Sequence, residues 1–150
     1  KMNIEMLEKG GCILVPGIAE LLRKLRRRKI RAAIASSSTR EYILAALAAH
    51  GLESWFDQVV SSEEVPRGKP RPDVFLRAAE VLGVRPEDCV IIEDSDNGLA
   101  AAREAGIRSI GFRNPNSGCQ SLALADRIVD SVREIRMGML ASLAGGMRGG

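Results

Sequence analysis

Three polar positions stand at the ends of apolar runs: Ser36 after Ile30 to Ala35, Lys69 in a Gly-Lys-Pro loop, and Glu93-Asp94 after Val90 to Ile92. A hydroxyl, a cation and two adjacent carboxylates suit a magnesium-assisted phosphoryl-transfer site. Hydrolysis of a phosphate ester is among the slowest uncatalysed reactions, with accelerations approaching ~10²¹, so neutralising charge on the transferred group dominates the task. Magnesium prefers hard oxygen ligands in near-octahedral geometry at about 2.1 Å and keeps several waters beside one or two carboxylates. Asp94 is the expected direct ligand, and Glu93 the outer one that holds a coordinated water. Two neighbouring carboxylates repel unless a cation lies beside them. The Ser36 hydroxyl can donate to a phosphoryl oxygen, and the backbone N–H groups of Ser37 and Ser38, near a helix start, form an anion cradle. Lys69, among Arg67, Gly68, Pro70 and Arg71, supplies charge neutralisation. The attacking group is missing: no apolar strand ends in an Asp-x-Asp turn that could supply a carboxylate nucleophile.

Such positions need a frame that gathers strand ends. Pro16-Gly17 opens a helix with Ile18, Leu21, Leu22 and Leu25 at helical spacing, and Ile30 to Ala35 is a short buried strand. Ser38 or Thr39 caps a helix carrying Ile43, Leu44 and Leu47 that ends at Gly51. Gln58 to Val60 is the next strand, Ser61 to Arg71 a polar loop, and Pro72-Asp73 the start of a helix to Leu82. Cys89 to Ile92 is the most apolar strand, and Asn97-Gly98 open an Ala-rich helix to Ala105. Ser109 to Phe112 is a further strand, Arg127 to Val129 a short edge strand, and Val132 to Leu140 a last helix. Strands separated by helices of about ten to twelve residues imply right-handed βαβ units. The fold class is therefore α/β, a Rossmann-like parallel sheet with helices on both faces. Ligands bind such sheets beyond the carboxyl ends of the strands, where Ser36, the Lys69 loop and Glu93-Asp94 all lie.

The bulk properties narrow the function classes. The 150 residues suit one core, with 45% apolar and 27% charged residues as in an ordinary globular chain. Aromatic residues are only 3%, too few for base-stacking platforms. Cys12, Cys89 and Cys119 lack metal-ligand spacing and read as reduced structural thiols. The net charge of +3 is concentrated in Arg23, Lys24, Arg26, Arg27, Arg28, Lys29 and Arg31. This run reads as the solvated face and last turn of a helix, where the dipole favours cations, so no nucleic-acid partner is expected. Cys12 to Ala19 contains Pro16 and follows Glu5 and Glu8, which fits neither a signal peptide nor a membrane span. A cytoplasmic location is expected, an organellar one being compatible with the same sequence. His50 reads as a helix-end residue, Asp73 as a helix-start residue, and Trp55-Phe56 as a local apolar plug.

The ordered combination resembles the haloacid dehalogenase superfamily, in its beta-phosphoglucomutase-like and phosphoglycolate phosphatase-like branch. Ala35 to Ser38 looks like the second motif of that family, Gly68-Lys69-Pro70-Arg71-Pro72-Asp73 like the third, and Ile92 to Gly98 like the fourth. The resemblance implies Mg2+ as cofactor, Ser36, Ser37, Ser38 and Lys69 on the phosphoryl group, and Asp94 with Glu93 on the metal. It also implies supporting places for Ser95, Asn97 and Arg40. Family members pass phosphate through an aspartyl-phosphate formed on a first, central strand, between those ending at Ser36 and Asp94. That strand, its Asp-x-Asp and most of a helical cap have no counterpart here, so the core is expected to be incomplete at the N-terminus. Residues 1–13 resemble the end of the cap and a linker, 14–140 the C-terminal portion of the core, and 141–150 a flexible Gly-rich tail. The implied function is the C-terminal part of a phosphatase or phosphomutase acting on a small phosphorylated metabolite, inactive alone. The alternative is a non-catalytic binding or regulatory module. A receiver-type signalling domain is disfavoured, because its acids should follow the first strand and its Lys the last.

Overall fold

The computed structural model describes residues 3–6, 16–114 and 120–145. Six parallel strands form one sheet: β1 (Asn3–Met6), β2 (Arg31–Ser36), β3 (Gln58–Ser61), β4 (Cys89–Glu93), β5 (Arg108–Phe112) and β6 (Arg127–Val129), in the order β3-β2-β1-β4-β5-β6. The helices are α1 (Ile18–Arg27), α2 (Arg40–Ala49), α3 (Asp73–Leu82), α4 (Asp96–Ala105) and α5 (Met137–Leu143). All five residues of β4 are buried, as expected for an inner strand of a sheet covered on both sides. Its side chains alternate between two cores. Val90 and Ile92 pack with α1 and α5, while Cys89 and Ile91 pack with α3 and α4. Ile34 of β2 joins Ile43 and Leu47 of α2 in a third cluster.

The structure departs from the sequence expectation at both ends of the described chain. Residues 3–6, assigned above to the end of a cap, occupy the central slot of the sheet, with Ile4 level with Ala32 on one side and Val90 on the other. An empty slot would leave backbone N–H and C=O groups of β2 and β4 unpaired in the middle of the sheet, and four residues of strand satisfy them. At the other end the expected helix over 132–140 is divided. Ser131 and Glu134 form a capping box around a single 3-10 turn, Val132–Glu134. Ile135 and Arg136 are extended, and α5 begins only at Met137. Residues 141–145 are not a tail, since Leu143 and Ala144 are buried in the α1 core. Residues 146–150 lie outside the described residues.

The basic run behaves as a solvated face. Ile18, Leu21, Leu22 and Leu25 of α1 are buried, whereas the cations from Arg23 to Lys29 are exposed. Arg26 lies over the Trp55 ring, 4.0 Å from its centroid, and Arg31 donates to the Leu82 carbonyl. Trp55 and Phe56 pack against the α1 core, His50 is the C-cap of α2, and Asp73 opens α3. Cys89 is buried and its Sγ donates to the Arg85 carbonyl at 3.4 Å, while Cys12 and Cys119 fall outside the described residues. Among the described residues no helix is long and apolar enough to cross a membrane.

Candidate functional site

Four loops meet at the carboxyl edge of the sheet, and Lys69 ties two of the strand ends together. Its Nζ donates to the Ala35 carbonyl at 3.2 Å and to Glu93 Oε2 at 3.1 Å, so one ammonium spans the ends of β2 and β4, the two strands that flank β1. The Lys69 and Glu93 side chains are 4% and 0% exposed. Phe75 presents its ring face to the ammonium, 4.8 Å from the centroid, which adds a cation–π contact in place of lost water. The other Glu93 oxygen accepts from the Asp94 and Ser95 backbone N–H groups and from Ser95 Oγ. Burial drives the Glu93 carboxyl above its ordinary range, against the pull of the Lys69 ammonium, and the Asp94 carboxylate pushes the same way as burial. Both of its oxygens are thus used within the protein.

Gly98 explains how Glu93 fits there. A Cβ on Gly98 would lie 2.0 Å from Glu93 Oε2 and Cδ, so the first turn of α4 can close over the carboxylate only without a side chain at this position. Ser95 caps that helix by accepting from the Gly98 N–H at 3.0 Å, which joins cap and carboxylate in one network.

Ser36, the last residue of β2, is 1% exposed, and its Oγ accepts the Ser38 N–H at 3.0 Å. The Ser38 N–H, expected to belong to an anion cradle, is therefore committed to a local turn, because a hydroxyl at a strand end readily takes the N–H two residues on. Ser61 Oγ donates to the Ser38 carbonyl and Ser62 Oγ to the Ser37 carbonyl, so the end of β3 fixes the whole Ser36 to Ser38 turn. Thr39, not Ser38, caps α2. Arg40 is drawn away: its guanidinium donates to the Val59 carbonyl at 2.8 Å and to Glu64 at 2.6 Å, while its backbone N–H donates to Glu63. Asn97 stands exposed in the first turn of α4.

Asp94 is 5% exposed, one residue beyond β4, and its Oδ2 accepts from Asn114 Nδ2 at 3.1 Å. Asp94-Ser95-Asp96 does spell Asp-x-Asp after an apolar strand, but its second acid serves another purpose. Asp96 accepts the Ser121 N–H at 3.0 Å and the Leu122 N–H at 2.8 Å. Leu122 is fully buried with φ of 58°, a conformation that costs a branched residue of order 1–3 kcal/mol and that Asp96 helps to hold. Asp96, Asn114, Gln120, Ser61 and Ser62 escaped the sequence reading. Only the two serines carried a usable signal, since they close a strand as Ser36 does.

Divalent-cation binding can be tested against this donor set. Among the described residues no three His, Cys, Asp or Glu side chains converge to cage a metal. A hard cation that keeps its waters and takes one or two carboxylates, as Mg2+ does, fits Asp94. Lys69 already pairs Glu93, which leaves Asp94 the better placed of the two acids. A parallel, doubly wound sheet with a hydroxyl, a buried ammonium and a carboxylate on one carboxyl edge defines an α/β protein whose polar side chains gather where such sheets take their ligands. The family model described as haloacid dehalogenase-like hydrolase matches residues 4–106, and the chain belongs to that family. It is 35% identical over 128 residues to beta-phosphoglucomutase of Bacillus subtilis, covering 85% of this chain and 54% of that protein. It is 39% identical over 95 residues to a phosphorylated carbohydrates phosphatase of Thermotoga maritima, covering 63% and 44% respectively. The crystal structure of CbbY from Rhodobacter sphaeroides in complex with phosphate superimposes with a TM-score of 0.79 at 36% identity, over 85% of this chain and 58% of that one. The chain thus spans about half the length of these relatives.

Proposed function

We propose that Ser36, Lys69 and Asp94 bind the phosphoryl group of a small phosphorylated metabolite, of the sugar-phosphate type, together with Mg2+, for hydrolysis or transfer of that group. The observation that carries this reading is the buried Lys69 ammonium spanning the ends of β2 and β4, beside Ser36 and Asp94. An ammonium has three N–H donors. Ala35 and Glu93 take two, and a phosphoryl oxygen would take the third. The Ser36 hydroxyl accepts from Ser38 and so keeps its own proton for a second phosphoryl oxygen. Asp94 would hold the metal, whose contribution when bound is to neutralise charge on the phosphoryl oxygens. Glu93 would act mainly by fixing Lys69 and, through a water, by facing the same cation.

The 150 residues are not expected to turn over by themselves. Asp96 is committed to the 121–122 turn, and residues 1–15, which supply the central strand, contain no Asp. The acids described at this edge, Glu93, Asp94 and Asp96, are each engaged in another role. Isothermal titration with inorganic phosphate tests the binding half of this reading. Phosphate should bind in the presence of Mg2+, weakly and with both ions required, and Ser36→Ala or Asp94→Asn should abolish the signal. Binding indifferent to Mg2+ and to both substitutions would overturn it.

A further inference from the structure

In the loop that follows β5, the described residues Asn114 and Gln120 grip Asp94 from two directions. Asn114 Nδ2 donates to the Asp94 carboxylate, and Gln120 Nε2 donates to the Asp94 backbone carbonyl and to the Phe112 carbonyl at 3.0 Å. Gln120 Oε1 in turn accepts the Asn114 N–H at 3.2 Å. Gln120 thus holds the Asn114 backbone, while the Asn114 side-chain amide meets the Asp94 carboxylate. Because Gln120 must present its oxygen to a backbone N–H, its nitrogen is obliged to face the two carbonyls, and Asn114 must turn its nitrogen toward a carboxylate that only accepts. Asp96 anchors the far side of this loop through Ser121 and Leu122.

We propose that Asn114 and Gln120 are positioning residues for the metal-binding carboxylate. Asn114 sets the rotation of the Asp94 carboxyl group, and Gln120 braces Asn114 and the Asp94 backbone. The inference rests on the reading of Asp94 as a metal ligand. Its physical basis is the pair of contacts on Asp94: Asn114 Nδ2 donates to its Oδ2 at 3.1 Å, and Gln120 holds both the Asp94 carbonyl and the Asn114 N–H. The terminal torsion of an aspartate is broad and roughly two-fold, so an unsupported carboxylate would sample orientations that do not meet the metal. Partners that orient a ligating group in this way typically carry 10–100-fold in metal affinity.

Electron paramagnetic resonance of free Mn2+, titrated into the folded 150-residue chain, reads the affinity directly. Asn114→Leu, nearly isosteric but without a donor, should weaken Mn2+ binding about tenfold, and Gln120→Met should weaken it less, with circular dichroism unchanged. If Asn114→Leu loses its fold, Asn114→Ser carries the same comparison. Mn2+ binding abolished by Asp94→Asn yet unchanged by the Asn114 and Gln120 variants would overturn the positioning role and leave the metal site standing. Mn2+ binding insensitive to Asp94→Asn would overturn both.

Discussion

Lys69→Met should destabilise the fold by about 3–5 kcal/mol, the usual consequence of removing one partner from a buried ion pair. Methionine keeps most of the volume, so the loss reports charge rather than packing. Glu93, fully buried, would be left with the Asp94 and Ser95 donors but without its cation. The pH dependence gives the test its direction. The folded-state value for Glu93 is already raised by burial, and Lys69 is the main influence opposing that rise. Without the ammonium it climbs further, so the folded variant holds a proton that the unfolded chain has released. Stability that depends on this proton is complete below the ordinary carboxylate range and drains away as pH rises through the folded value. Urea unfolding should therefore show a larger deficit for Lys69→Met at pH 8 than at pH 5. Equal deficits at both would show that Glu93 is not the group left exposed to the change.

Gly98→Ala should also destabilise, although the helix context argues the opposite. Replacing an interior helical glycine by alanine is ordinarily stabilising by about 0.5–1 kcal/mol. Here the new methyl would sit 2.0 Å from two atoms of Glu93 and 2.4 Å from a third. Overpacking of this kind costs about 1–3 kcal/mol, and Glu93 has no exposed end that can swing aside. The penalty outweighs the propensity gain. Because displacement of Glu93 also breaks its contact with Lys69, the Gly98→Ala and Lys69→Met effects should sum to less than their separate values. A higher melting temperature for Gly98→Ala, or strict additivity in the double variant, would contradict the packing described here.

What the sequence made legible follows the range over which each signal acts. Apolar periodicity is local, and it located β2, β4, β5 and helices α1 to α4 within a few residues. Polar residues at strand ends are local as well, which is how Ser36, Lys69, Glu93 and Asp94 could be found. β1 was not legible. Asn3-Ile4-Glu5-Met6 alternates polar and apolar residues, unlike the continuous apolar run of a typical inner parallel strand, and its pairing with β2 and β4 spans nearly thirty and nearly ninety residues of chain. The division of the last helix depended on a capping box, Ser131 with Glu134, that directs the backbone against an otherwise helical pattern. Asn114, Gln120 and Asp96 act across about twenty to twenty-six positions, and a loop amide looks the same in sequence whether it meets water or a carboxylate. Arg40, given a supporting place above, shows the converse: the acids of the Ser62–Glu64 turn, invisible to local reasoning, engage it.

The proposal that Ser36, Lys69 and Asp94 bind phosphate and Mg2+ in a chain that does not itself turn over can be tested on a single sample. The folded 150 residues, shown by titration to bind phosphate with Mg2+, are incubated with sugar phosphates and Mg2+ while inorganic phosphate is followed over time. Binding with no release above the buffer rate is the expected result. Magnesium-dependent release that Asp94→Asn abolishes would contradict it, and would mean that an attacking carboxylate lies within the chain after all.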